Sequence, residues 1–212
     1  YIDNILSDLS EAEGILIEPT GGTIQKAKFS NANIRGSGGT AGISVRGTGN
    51  FGNISFDNPI VTGASGHGIE WRNGFASINN PICAANGGDG IRLGGGASPL
   101  TGYTISAGVS GAIGNIAGNS GYGLTFLNGL HGPGSIIGLN AVGNMAGAVN
   151  DLVTSTAQRN WSIVGSEKGP GVYLTDNQTF EVFSNGTGAT GNIRAKSYVP
   201  TFEYYDRSND ER

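Results

Sequence analysis

A short pattern of glycine, apolar, variable and apolar residues recurs through the chain and leaves few folds open to it. It appears as Gly42-Ile43-Ser44-Val45, Gly68-Ile69-Glu70-Trp71, Gly90-Ile91-Arg92-Leu93 and Gly123-Leu124-Thr125-Phe126, with the glycines 26, 22 and 33 residues apart. A weaker copy, Gly147-Ala148-Val149, follows 24 residues later. A second strand family precedes the first three copies: Phe29-Ser30-Asn31-Ala32-Asn33-Ile34, Phe56-Asp57-Asn58-Pro59-Ile60-Val61 and Ile78-Asn79-Asn80-Pro81-Ile82-Cys83, with degenerate versions around Ile105, Ile137 and Ile163. Two strand families in phase at such a period predict a solenoid, and a rung of this length fits one coil of a right-handed parallel β-helix.

Successive side chains of a strand point to opposite faces. Stacked coils therefore predict interior columns of Ile43, Ile69, Ile91, Leu124, of Val45, Trp71, Leu93, Phe126, and of Phe29, Phe56, Ile78. Trp71 belongs to one of these columns and reads as core rather than as a platform for a sugar. Cys83 aligns with Ile34 and Val61 and reads as a small buried apolar side chain. Asn31, Asn58 and Asn80 fall in register where a turn begins, so their amides are expected to bond from coil to coil.

The 39 glycines among 212 residues are turn residues in this reading. They lack the three-residue period of collagen. With 37% hydrophobic and only 13% charged residues, the chain also lacks the composition of a disordered one. A net charge of −4 without a basic cluster argues against a nucleic-acid partner. One cysteine and two histidines supply neither an intrachain disulfide nor a zinc set, and no cofactor or metal is expected. No apolar run approaches the roughly 20 residues of a membrane span, and no signal-like segment opens the sequence.

The ends read differently. Ile2, Ile5, Leu6 and Leu9 have helical spacing and Gly14 closes the pattern, which predicts a short amphipathic helix capping the open end of the coil stack. Ile15-Leu16-Ile17 then reads as a first strand and Thr20-Gly21-Gly22-Thr23 as a turn. After about Gly165 the coil pattern stops. Short strands follow at Val172-Tyr173-Leu174 and Phe180-Glu181-Val182-Phe183, then at Asn192–Ala195 and Tyr198–Phe202, too short to bury a core alone. The expected division is an N-terminal cap with the first strand over 1–22, a β-helix over 23–165, and an intertwined β segment over 166–212 that packs against other copies of the chain.

The opening segment with Gly14-Ile15-Leu16-Ile17-Glu18-Pro19 and its Gly-Gly turn is similar to the start of pectate-lyase-like β-helices in bacteriophage tailspikes. The run Gly188-Ala189-Thr190-Gly191-Asn192-Ile193-Arg194-Ala195-Lys196, ending near Tyr204-Tyr205-Asp206-Arg207, resembles the shaft of trimeric phage fibres. The resemblance implies a homotrimer on an extracellular virion, in contact with other tail proteins and recognising a bacterial surface glycan. Many such proteins also cleave that glycan.

Cleavage by hydrolysis needs two carboxyl groups, about 5 to 5.5 Å apart for retention or about 6.5 to 9.5 Å for inversion. The coils offer Asp57, Glu70 and Asp89 and no further acid before Asp151, and no two of those three share a column. Glu70 and Arg92 point outward one rung apart, which reads first as a stacked ion pair on a solvated face. The same patch, His67, Glu70, Arg72, Asp89 and Arg92, is the candidate sugar-binding surface, with Glu70 or Asp89 as acid, or His67 and Arg72 as base and charge neutraliser of a lyase. The wide spacing between Gly90 and Gly123 implies an inserted loop near Tyr103 and Tyr122, which are further glycan-binding candidates. His131, in a turn-rich stretch, reads as solvated. Gly87-Gly88-Asp89-Gly90 lacks the tandem recurrence of a calcium roll.

These readings favour a structural and adhesive spike or fibre component. A capsule or O-antigen depolymerase is the first alternative, and a bacterial β-solenoid surface adhesin the second.

Overall fold

The computed structural model describes residues 1–96, 99–106, 116–129, 131–137, 140–141 and 143–153, together with the backbones of 161–164, 172–173 and 182–183. The described residues are all-β, with three parallel sheets and no helix, consistent with a parallel β-helix. Sheet A stacks β1 (Ile2–Asp3), β4 (Thr23–Ser30), β7 (Asn50–Asp57), β10 (Gly74–Asn79), β13 (Leu100–Ser106), β16 (Gly134–Ile137), β18 (Trp161–Val164) and β20 (Val182–Phe183). Sheet B stacks β2 (Leu6–Asp8), β5 (Asn33–Arg35), β8 (Ile60–Thr62), β11 (Ile82–Ala84) and β14 (Ile116–Ala117). Sheet C stacks β3 (Ile15–Ile17), β6 (Ala41–Val45), β9 (His67–Trp71), β12 (Ile91–Leu93), β15 (Tyr122–Phe126), β17 (Gly147–Asp151) and β19 (Val172–Tyr173).

The expected columns are in register. Ile43, Ile69, Ile91 and Leu124 pair in sequence, as do Val45, Trp71, Leu93 and Phe126, and all eight are buried. Phe29, Phe56 and Ile78 continue into Ile105 and Ile136. The Phe29 and Phe56 rings stack at 4.6 Å, and Trp71 meets Phe56 edge-on at 6.0 Å while its indole N–H donates to the Asn73 carbonyl. Each such side chain taken from water stabilises the fold by about 1.5–3 kcal/mol. Cys83 is fully buried between Val61 and Ile116, and desolvation pushes its thiol pKa well up.

The lead glycine is a packing requirement. A Cβ on Gly90 would lie 2.1 Å from Ile116 Cγ2, and one on Gly68 would lie 2.5 Å from the Gly90 carbonyl oxygen. In the fifth copy the register differs from the sequence alignment: Tyr122 pairs with Gly147 and Leu124 with Val149, so Ala148, not Gly147, occupies the lead position.

The N-terminal helix is not formed. Ile2 pairs with Phe29, Leu6 with Asn33 and Ile15 with Ile43, so residues 1–17 make a first coil laid along the second. Helical spacing and two short strands broken by a bend are indistinguishable over nine residues, and pairing to a preformed coil decides between them. Asn4 has a φ of 54°, matching Asn31, Asn58 and Asn80 at 50–52°, and so marks the same corner one coil earlier.

At that corner the expected ladder exists. Asn80 Nδ2 donates to Asn58 Oδ1 at 3.1 Å, Asn58 Nδ2 to Asn31 Oδ1 at 3.2 Å, and Asn31 Nδ2 to Asp3 Oδ1 at 2.9 Å. A second ladder runs inside the next corner, between sheets B and C. Asn86 Nδ2 donates to Asn119 Oδ1 and Asn119 Nδ2 to Asn144 Oδ1, each at 2.8 Å. Their remaining amide groups bond backbone at Ala64, Val61, Cys83, Ile116 and Ala141.

Beyond residue 165, β19 pairs with β17 and β20 with β18, both parallel, which carries sheets A and C onward. The rest of the expected trimerisation segment lies outside the described residues. So do residues 107–115, which follow β13 and precede β14 in the sequence.

Candidate functional site

Sheet C gathers most of the candidate residues, in one column that alternation turns away from the core and in a second set where its strands begin. One runs Ser44, Glu70, Arg92, Thr125 in paired register. The other brings His67, Asp89 and Tyr122 to successive coils, each two residues before a paired core position.

Glu70 is not solvated, contrary to the expectation from alternation. Its exposure is 1%, with Arg72, just past the end of β9, and Arg92 from the next coil both reaching it. Arg72 Nη2 donates to Glu70 Oε1 at 2.9 Å, and Arg92 Nη1 stands 4.0 Å from the same oxygen. The arginine arms themselves keep 36% and 30% exposure. Glu70 Oε2, Arg72 Nε and Arg92 Nε have no hydrogen-bond partner within the protein. Ser44 Oγ and Thr125 Oγ1, on the coils flanking Glu70 and Arg92, are equally buried and equally unpartnered. Native proteins contain few such atoms, so five along one outward strip call for an explanation.

His67 is held on both sides. Its Nδ1 lies 2.9 Å from the Asp89 backbone nitrogen and 3.5 Å from Asp89 Oδ2, and its Nε2 lies 2.5 Å from Arg92 Nη1. Both ring nitrogens thus face N–H groups, and a neutral imidazole accepts at only one of them, here Nδ1 from the Asp89 backbone. Burial first, and the Arg92 charge second, hold its pKa below the ordinary imidazole value, with Asp89 and Glu70 opposing. Asp89 Oδ1 accepts from the Tyr122 backbone N–H at 2.9 Å, so this carboxylate is spent on joining coils. Beside the strip, Arg46 bridges Glu13 at 3.2 Å and Glu18 at 3.6 Å.

Two candidates lie elsewhere. Asp57 closes β7 at the corner of sheet A, where Lys28 reaches it at 2.6 Å and Asn79 Nδ2 donates to it at 2.7 Å. The Asn79 bond, then the Lys28 bond, holds its carboxyl below the ordinary value. Tyr103 belongs to β13 and not to a surface loop. It is buried, its ring lies over Gly134, and desolvation together with the Asp151 charge pushes its phenol pKa well up. Tyr103 is therefore a core residue that presents nothing to a ligand on the surface.

His131 was likewise expected in solvent and is buried. Its ring meets Tyr103 and Phe126 edge-on at 6.3 and 6.2 Å, and its Nε2 lies 2.7 Å from the Leu127 carbonyl oxygen. Burial lowers its pKa, with the Leu127 bond opposing. Sequence reasoning missed the roofing of Glu70 and the roles of Ser44 and Thr125. The register of the outward column was legible, but the fold of the arginine arms was not.

Among the described residues no group of three or more His, Cys, Asp or Glu is placed to hold a metal ion. Comparison of the chain with protein-family models, with characterised proteins and with solved structures finds no match.

Proposed function

We propose that the chain is a structural and adhesive part of a phage tail spike or fibre, a trimeric right-handed β-helix that binds a bacterial surface polysaccharide through the outward face of sheet C. The observation carrying this reading is the strip of five buried polar atoms without partners, set on a rigid stack of coils. A sugar hydroxyl both donates and accepts, and meets carboxylate, hydroxyl and guanidine N–H groups alike. Right-handedness follows from the strong preference of parallel β crossovers. The fibre-like residues between Gly188 and Arg207 support assembly with other copies.

Binding is favoured over cleavage by how the acids are used. Two-carboxylate hydrolysis needs a second acid near Glu70, and Asp89 is tied to Tyr122 and His67 while Asp57 belongs to another sheet. A lyase reading needs a free base, and His67 accepts the Asp89 backbone N–H at Nδ1 while its Nε2 abuts the Arg92 guanidinium. The free Glu70 Oε2 is the one observation favouring a depolymerase. Immobilised surface polysaccharides of candidate hosts, assayed for retention of the protein and for new reducing ends or unsaturated uronates, separate the readings. Retention without product supports the adhesive reading, product points to the enzyme, and failure to bind any polysaccharide defeats both. A stable monomer in sedimentation would remove the trimer.

A further inference from the structure

Resting on the glycan-binding reading, we infer that the ligand of the sheet C face is an uncharged, hydroxyl-rich oligosaccharide segment lying along the column Ser44, Glu70, Arg92 and Thr125, and not an acidic one. The first ground is which atoms remain available. An anionic sugar is best held by the paired N–H fork of an arginine. Here Arg72 Nη2 donates to Glu70, and Arg92 Nη1 stands 4.0 Å from the same carboxylate oxygen, so both guanidinium groups already face an anionic partner within the protein. The two buried Nε donors alternate along the strip with Glu70 Oε2, an acceptor, and with the Ser44 and Thr125 hydroxyls, which do both. Such alternation complements hydroxyl groups, which both donate and accept.

Charge gives the second ground. Glu70 and Asp89 offset Arg72 and Arg92, and the neighbouring Arg46 is outnumbered by Glu13 and Glu18. The strip therefore attracts no anion, and Glu70 Oε2 repels one that approaches. Its extent gives the third. Ser44 and Thr125 are three coil steps apart, about 14 Å at the usual strand spacing, so the column is matched to several linked sugars. The half-exposed arginine arms lie against Glu70, and the ligand reaches its carboxylate when they swing outward.

The test is an array of neutral and acidic bacterial polysaccharides, probed with the wild-type chain and with Glu70→Gln, Thr125→Val and, as a control on the outward face of sheet A, Ser77→Ala. Thermal melts establish that each variant is folded. Neutral polysaccharides are expected to bind with little dependence on salt. Glu70→Gln is expected to weaken them at least about tenfold, as loss of a hydrogen bond to a charged group does. Thr125→Val, close to isosteric, is expected to weaken them by a few-fold should Glu70→Gln fail to fold, and Ser77→Ala to leave binding unchanged. Binding confined to acidic polysaccharides, or neutral binding untouched by both site variants, overturns this inference while sparing the glycan reading. Absence of binding across the whole array overturns that reading as well.

Discussion

The inner asparagine ladder and the outward column of sheet C are buried to the same degree and treat their polar atoms in opposite ways. Asn86 and Asn119 are 1% and 0% exposed, and their amide groups are bonded to one another, to Asn144 and to backbone. Glu70 and Ser44 are 1% and 0% exposed, yet Glu70 Oε2 and Ser44 Oγ have no partner. A satisfied buried network rigidifies and specifies a fold, whereas an unsatisfied one costs stability. The ladder is therefore structural, and the column holds bonding capacity that the fold does not use.

That contrast is open to measurement by mutation. Asn119→Ala removes four hydrogen bonds and leaves Asn86 and Asn144 short of partners, and is expected to cost about 3 kcal/mol in chemical denaturation. A loss as small as that of a surface asparagine would erase the distinction. Gly90→Ala, whose new methyl meets Ile116, is expected to cost about 2 kcal/mol by overpacking. The outer ladder is solvated, so Asn58→Ala should lower stability by only about 1 kcal/mol, read as a small drop in melting temperature. Thr125→Val closes the series. Since its hydroxyl has no partner, stability should hold or rise, and a drop comparable to that of Asn119→Ala would mean the column is structural after all.

Acid sharpens the contrast further. His67 and His131 both have folded-state pKa values below the ordinary 6.5, so the unfolded chain takes up protons first as pH falls. Stability is expected to be full above about pH 7, to decline as pH drops through 6.5, and to level off below the folded-state values. Melting temperatures recorded from pH 7.5 to 5 check this, and His131→Gln should flatten part of the slope. Asp57, with its carboxyl held low, adds a loss only at more acid pH.

Much of the fold was legible because a solenoid repeats its own template. Trp71 and Cys83 could be placed in the core from their neighbours in register, and Asn31, Asn58 and Asn80 from their common phase. The first coil was missed because Ile2, Ile5, Leu6 and Leu9 also satisfy a helix. Extending the repeat backward would have found it, since Asn4 precedes Asn31 by the same 27 residues that separate Asn31 from Asn58. The inner ladder left a similar signal: Asn86, Asn119 and Asn144 each stand four residues before the lead position at Gly90, Gly123 and Ala148. What periodicity does not encode is where long side chains fold. It places Glu70 outward and cannot tell that Arg72 and Arg92 close over it, nor that His131 turns inward beside Phe126, whereas Tyr103, two residues before Ile105, is inward by alternation.

The most direct test of the account is to titrate a neutral bacterial polysaccharide retained by the wild-type chain into Glu70→Gln, with the melting temperature of each protein measured alongside. The account predicts a variant about as stable as the wild type whose affinity falls at least about tenfold. Unchanged affinity in the folded variant would contradict it.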